Sequence, residues 1–499
     1  MFSVWSLALL AWLTLHWGIL PRLDEWRPQI ESRASAMLGA PVRIGALRVR
    51  SGGWVPSFEL DDVRVLDPQG RDALQLKRVV AALSPQSLLV LQPRFAQLLV
   101  EDVRLDVRRD RRGRFFVAGL DMAADGDAGD PAALDWLFEQ HEFVIRGATL
   151  RWTDEMNDAP PLALSAVDLV LRNRARRHEL RIDATPPPEW GDRFTLQGRF
   201  SQPLLARASD WQRWSGEAFL SLPRADVARL RDHVALPFEL SEGRGALRAW
   251  LAVEAGRPVQ TTADLALAGV SLRLGQALPA LALTRLEGRF DARQDARSLS
   301  FGAEGLSFDT DDGRRWAPAA MRLTLARAAA DAPVDGGSFR ADRLDLDTMA
   351  ALAARLPLGE ALHRVLVDLA PRGTVRSLVG QWSGPIDAPQ RYSVQAQGQA
   401  LSLAAGSAGP ADPSGDRAAG RPGLSGADVE FSANELGGHA RLTMQRGTLI
   451  FPGVFDEPIV PVQRVGGRIE WTRRAASGGA GPQVEVALQD FGFVNDDVE

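Results

Sequence analysis

From Val42 onward, apolar residues alternate with polar or small ones at a period of two. Phe58 and Leu60, Val63 and Val65, Val103, Leu105 and Val107, Leu169 and Leu171, Leu180 and Ile182, Leu265 and Leu267, and Leu323 and Leu325 all follow it. Successive side chains of a strand point to opposite faces, so the pattern predicts strands with one apolar and one wet face. Turn residues fall between or beside these runs at Asp67-Pro68-Gln69-Gly70, Arg112-Gly113, Asp312-Gly313 and Gly336-Gly337, and antiparallel hairpins are the expected pairing. Helices are few. Ser84-Pro85 and Asp130-Pro131 each place a capping oxygen before a first-turn proline, opening short helices at 85 to 92 and 131 to 140. Two more are expected near 224 to 233 and 347 to 369. The fold class is mainly β.

The N-terminus breaks the pattern. Residues Phe2 to Leu20 carry no formal charge apart from the titratable His16, and as a helix they reach roughly 28 Å, enough to span a bilayer. Trp5, Leu9, Trp12, Leu13, Trp17 and Leu20 are the anchor residues, and Pro21, Arg22, Asp24 and Glu25 mark the return to water. No basic stretch precedes the run and no small-x-small site follows it, which favours an uncleaved anchor (1 to 21) over a signal peptide. Leu23, Trp26, Ile30, Ala34, Met37 and Leu38 then recur at helical spacing, so residues 22 to 39 read as an amphipathic, membrane-proximal helix. It lies on the membrane surface or seals the end of the β body.

Composition narrows the function classes. The net charge of -5 comes from 58 basic and 63 acidic residues interleaved along the chain, with no concentrated positive field for a nucleic acid. Absence of cysteine rules out disulfides and thiolate metal sites. The six histidines are scattered, and His141-Glu142 and His178-Glu179 have Ile145 and Ile182 where a zinc hydrolase needs its second ligand. Ser271, Ser307, Ser338 and Ser425 lack the following glycine of a nucleophile elbow. Gly243-Arg244-Gly245 continues to Arg248 instead of glycine, and Lys77, the one lysine, follows no glycine-rich loop, so nucleotide binding drops out. The acidic pairs Asp154-Glu155, Asp311-Asp312 and Asp496-Asp497 read as hairpin tips. The expectation is a non-enzymatic protein without catalytic residues, metal or cofactor.

Short echoes suggest repetition: Asp61-Asp62-Val63-Arg64-Val65 returns as Glu101-Asp102-Val103-Arg104-Leu105, and RLEGRF at 285 to 290 as RVGGRI at 464 to 469. With the period of two, they favour an extended stack of hairpins over a single globule. Stretches rich in Gly, Ala, Pro, Ser and Asp at 121 to 130, 405 to 427 and 473 to 482 read as flexible loops. The chain is expected to be the N-terminal part of a longer protein.

Several segments together resemble the opening of YhdP-type proteins of the AsmA-like group. They include LGAPVRIGALRV at 38 to 49, LLVEDVRLDVRRDRRGRFFVAGL at 98 to 120, WLFEQHEFVIRGATLRWTDE at 136 to 155, ADRLDLDTMAALAARLP at 341 to 357 and RGTLIFPGVFDEPIVPVQRVGG at 446 to 467. The resemblance implies an inner-membrane protein of Gram-negative bacteria whose periplasmic part is a long, curled β-groove with an apolar lining, linked to phospholipid transport toward the outer membrane and to its permeability barrier. On it, 40 to 120 is a first AsmA-like β unit, 131 to 404 the groove body, and 428 to 499 a further, truncated unit. The partners expected are phospholipid acyl chains, the inner membrane and other envelope proteins. The lining expected is Val63, Val65, Val103, Leu105, Val107, Leu169, Leu171, Leu180, Ile182, Leu265, Leu267, Leu323 and Leu325. A non-transporting envelope scaffold is the alternative, because a filled core and a lipid-filled groove share one strand pattern.

Overall fold

The computed structural model describes residues 23–38, 40–50, 57–66, 72–84, 95–118, 120–121, 131–231, 233, 238–329, 332–386, 388–407, 419–474 and 483–495. The expected anchor, the helix at 85 to 92, the turn at 67 to 70 and most of the three low-complexity loops lie outside them. Among the described residues no helix is long and apolar enough to cross a membrane. The chain forms two compact units, residues 1–235 with 246–259, and residues 236–245 with 260–499.

The first unit opens with α1 (Leu23–Leu38), followed by β1 (Val42–Arg50), β2 (Ser57–Leu66), β3 (Asp72–Leu83), β4 (Phe95–Glu101), β5 (Arg104–Arg109), β6 (Phe115–Val117) and β7 (Leu120–Asp121). Next come α2 (Pro131–Glu139), β8 (Glu142–Asp154), β9 (Ala159–Arg174), β10 (Arg177–Thr185), β11 (Phe194–Ser201), β12 (Ser215–Asp226) and α3 (Val227–Leu230). Antiparallel ladders join β1 through β4 and β8 through β12. The hairpin expectation fails at one place: β4 and β5 both lie parallel to β8, pairing in turn with its first and second halves. The chain leaves by β5 and returns through α2 to start β8 at the end where β4 began, as a parallel pair requires.

Helix α1 caps the edge of β1. Arg27, Glu31 and Ser35 share a helix face at a spacing of four. Glu31 Oε1 accepts the Ile44 N–H at 2.8 Å, Ser35 Oγ accepts the Val42 N–H at 2.8 Å, and Arg27 Nη1 donates to the Gly45 carbonyl at 3.0 Å. The free edge of β1 is thereby capped by side chains, which blocks pairing with a further strand.

β13 (Glu239–Glu254) and β14 (Arg257–Arg273) contribute residues to both units. The second unit continues with β15 (Leu281–Gln294), β16 (Ser298–Thr310), β17 (Arg315–Arg327) and β18 (Val334–Asp345). After α4 (Leu346–Leu352) and α5 (Glu360–Leu369) come β19 (Arg372–Ser383), β20 (Arg391–Leu403), β21 (Gly423–Asn434), β22 (Gly437–Ile450), β23 (Ile459–Arg474) and β24 (Gln483–Val494). Antiparallel ladders join β14 to β24 in sequence, and no described ladder closes the sheet on itself.

Other expectations are corrected here. The helix expected at 224 to 233 is the four-residue α3, because Ser215–Asp226 continues as strand. The one at 347 to 369 is two helices, the first capped by Asp345 Oδ1 accepting the Thr348 N–H at 2.9 Å. Arg112-Gly113 and Asp312-Gly313 are turns, with Gly113 and Gly313 at φ +79° and +84°. Gly336-Gly337 is not a turn and lies inside β18. A Cβ on Gly337 would stand 2.5 Å from the Trp382 ring, so this glycine makes room for an aromatic on the next strand.

Candidate functional site

Cross-strand partners lie on the same sheet face, so the register assembles the apolar alternation into rows. One row crosses nine strands of the first unit: Leu47, Leu60, Val79, Val100, Ile145, Leu169, Ile182, Leu196 and Leu220. A second contains Phe143, Leu171 and Leu180. In the second unit Ala292, Phe301, Leu323, Phe339, Gly380, Val394, Ala433, Gly438, Trp471 and Val486 form a row over ten strands. Each unit thus carries one continuous apolar face. The other face carries ion pairs such as Arg289 with Asp264 and Arg322 with Asp291.

A crease runs through these faces. Asp62, Asp102, Gly147 and Ala166 in the first unit have positive φ in mid-strand or between successive strands, as do Gly269, Gly305, Ser377, Ala400, Gly426, Arg446 and Asp490 in the second. One left-handed residue adds a half-step to the pleat and flips which parity faces the core. The sequence follows the flip: Leu164 gives way to Val167 and Leu169 around Ala166, Leu267 to Val270 around Gly269, and Met444 to Leu449 around Arg446. Carboxylates take up backbone N–H groups at or beside these kinks. Asp168 accepts from Gly147 at 3.0 Å, Asp342 from Ala320 at 2.7 Å and Asp428 from Ala400 at 2.9 Å. The Asp61-Asp62 echo is a structural repeat, since Asp62 and Asp102 hold the kink at φ +50° and +52°.

Burial concentrates at the crease. Ile44, Val63, Val103, Ala148 and Val167 are buried beside it in the first unit, and Val270, Ala427, Met444 and Val465 in the second. Val79, Val100 and Ile145 in the middle of the first-unit row are buried too, whereas Leu47, Leu60, Leu169, Ile182, Leu196 and Leu220 of that row are half-buried, and Phe301 in the second unit is 43 % exposed. The expected lining divides accordingly. Val63, Val65, Val103, Leu171 and Leu267 are buried among their neighbours, whereas Leu105, Val107, Leu169, Leu180, Ile182, Leu265, Leu323 and Leu325 keep part of their surface open. Sequence reading missed Phe143, Leu196, Phe301, Phe339 and Trp471, which share these rows; the parity switch within each strand was the available signal.

In the first unit the crease folds the apolar face inward. Trp214 stacks on His178 at 4.0 Å, near one end of the strands. Trp211, three residues away, meets Phe115 at 6.4 Å, and Phe115 packs on Trp152 near the other end of β8. Along a flat strand those levels, near residues 142 and 152 of β8, would stand roughly 33 Å apart. Trp152 has the parity of Leu150, so the approach happens over the apolar face, which is therefore the concave one. The concave face is apolar along its rows, with a polar cluster of His178, Asn173 and Gln202 at one end.

No curated protein and no solved structure matches the chain. The model of one family, described as YhdP protein, matches residues 1–493, and the chain belongs to that family.

Proposed function

We propose that the protein is a conduit for phospholipids, anchored in the inner membrane by residues 2 to 20, with its β body in the periplasm. It carries lipid between inner and outer membranes and so supports the outer-membrane barrier. The observation that carries this reading is the continuous apolar face of each unit, whose rows stay half-open over much of their length beside a buried crease. Exposing a two-chain phospholipid to water costs on the order of 25 kcal/mol, at about 0.8 kcal/mol for each of roughly thirty methylenes. A half-open trough removes most of that cost by covering the chains and leaving the head group in water. Such transfer needs no catalyst, metal or cofactor, and we assign the protein no enzymatic activity.

The test is lipid mass spectrometry on the full chain purified from membranes and washed free of loose lipid. Co-purifying phospholipid, photo-crosslinked at Leu169 or Leu323 but not at the wet-face Arg181, is the expected result. A lipid-free protein crosslinking only to itself at those positions would leave the closed scaffold as the better reading.

A further inference from the structure

The trough of the first unit is not open along its whole length. The segment 202 to 214 leaves β11, crosses the concave face and returns to β12. At its root it is pinned. His178, buried on the concave face, has Nδ1 2.8 Å from Asn173 Oδ1 and Nε2 3.0 Å from Gln202 Oε1, with Trp214 stacked on one face and Phe138 of α2 edge-on at 5.6 Å. Asn173 Nδ2 donates to the Gln140 carbonyl at 2.8 Å, and Gln140, fully buried, accepts the Phe95 N–H at 2.8 Å. Asp135 of α2 accepts the Ser209 N–H at 2.8 Å, which ties the helix to the segment.

The far end is held differently. Trp211 is 44 % exposed, and its contact there is the edge-on Phe115 ring, which also lies under Arg109 at 5.7 Å. An aromatic pair of this kind is far weaker than a network of buried hydrogen bonds. Leu204 and Leu205 on the same segment are 73 % and 103 % exposed, and Leu205 sits at φ +66°. The segment is thus firmly rooted at one rim and lightly latched at the other.

We infer that α2 and residues 202 to 214 form a strap across the trough, latched by Trp211 on Phe115, that must open for a phospholipid head group to pass. The inference rests on the conduit reading: a lipid with its chains inside and its head group outside meets the strap at the mouth. The strap then sets when lipid moves on.

The chain contains no cysteine, which makes the test clean. The full chain carrying Phe115→Cys and Trp211→Cys is reconstituted in vesicles of phosphatidylethanolamine and phosphatidylglycerol containing radiolabelled phosphatidylethanolamine. A photo-reactive residue replaces either Leu60, ahead of the strap, or Phe301, beyond it in the chain. Without linker, lipid labels both positions. A reducible bismaleimide joining the cysteines leaves labelling at 60 unchanged and lowers it at 301 at least tenfold, and reduction restores it. Labelling at 301 that stays within twofold after linking overturns the strap while leaving the conduit standing. No labelling at either position in the unlinked protein overturns the conduit, and the strap with it.

Discussion

At the residue scale, the least expected feature is a line of left-handed residues that are not all glycine. Ala166, Ser377, Ala400 and Arg446 each hold a conformation that costs an L-residue about 1 kcal/mol. Ala400→Gly should therefore stabilise the second unit by about 1 kcal/mol, raising its melting midpoint by about 2–4 °C. Ala400→Val should lower it, since a β-branched side chain tolerates positive φ worst. Thermal unfolding followed by circular dichroism checks both; a glycine variant less stable than the parent would show that the kink is not strained. A second residue-level prediction concerns His178, whose pKa burial pushes below 6.5, with the Gln202 hydrogen bond opposing it. Its neighbours Asn173, Gln202, Phe138 and Trp214 are uncharged, and Arg177 and Glu179 have the opposite parity. With the folded pKa below the unfolded one, the unfolded chain binds the proton more tightly. Stability is complete above the unfolded value and is lost as pH falls through it. Between about pH 7.5 and about pH 5.5 the parent should lose more stability than His178→Gln, and equal losses would exclude the imidazole as the cause.

At the element scale, the strands were legible in the sequence because each is long and strongly alternating, and α2 was legible from Asp130-Pro131. What escaped is instructive. Leu265 and Leu267 share a parity with each other but not with Val270 and Leu272, so the kink at Gly269 was written in the sequence as a change of phase. Treating each alternating run as a separate strand hides it. Gly336-Gly337 was misread because a glycine pair marks a turn only when no large side chain needs its space, and Trp382 is forty-five positions away or more. The parallel pairing of β4 and β5 with β8 and the contact of Trp211 with Phe115 depend on distant segments meeting, which no local pattern records. Helix α1 shows the same limit: its apolar spacing predicted the helix, and Ile30 and Ala34 pack on the core, but the edge itself is capped by Glu31 and Ser35. Replacing both by alanine should leave α1 folded and expose the Val42 and Ile44 amides. Hydrogen exchange at those two amides should quicken at least tenfold relative to Val63. Unchanged protection would mean that the side-chain caps are not what closes the edge.

At the scale of the whole molecule, the conduit reading makes a claim that no local property can imitate: its segments act in series. Leu105 and Leu323 belong to different units, and both keep part of their surface open on the apolar face. A carboxylate at either position puts charge against passing hydrocarbon, at a cost of several kcal/mol unless it is protonated. Leu105→Asp alone and Leu323→Asp alone should each reduce lipid transfer from reconstituted vesicles by a tenfold factor or more, and the double variant should be no worse than the more severe single one. Asp106→Ala, on the wet face beside Leu105, should change little. A scaffold whose faces are packed shut responds otherwise, because each aspartate then enters a filled core. Each would unfold its own unit, the losses would add, and the melting midpoints would fall with them. Measuring transfer and melting together separates the cases: blocked transfer with preserved midpoints and no additivity fits a conduit in series, whereas additive losses of stability with unchanged transfer per folded molecule contradict it.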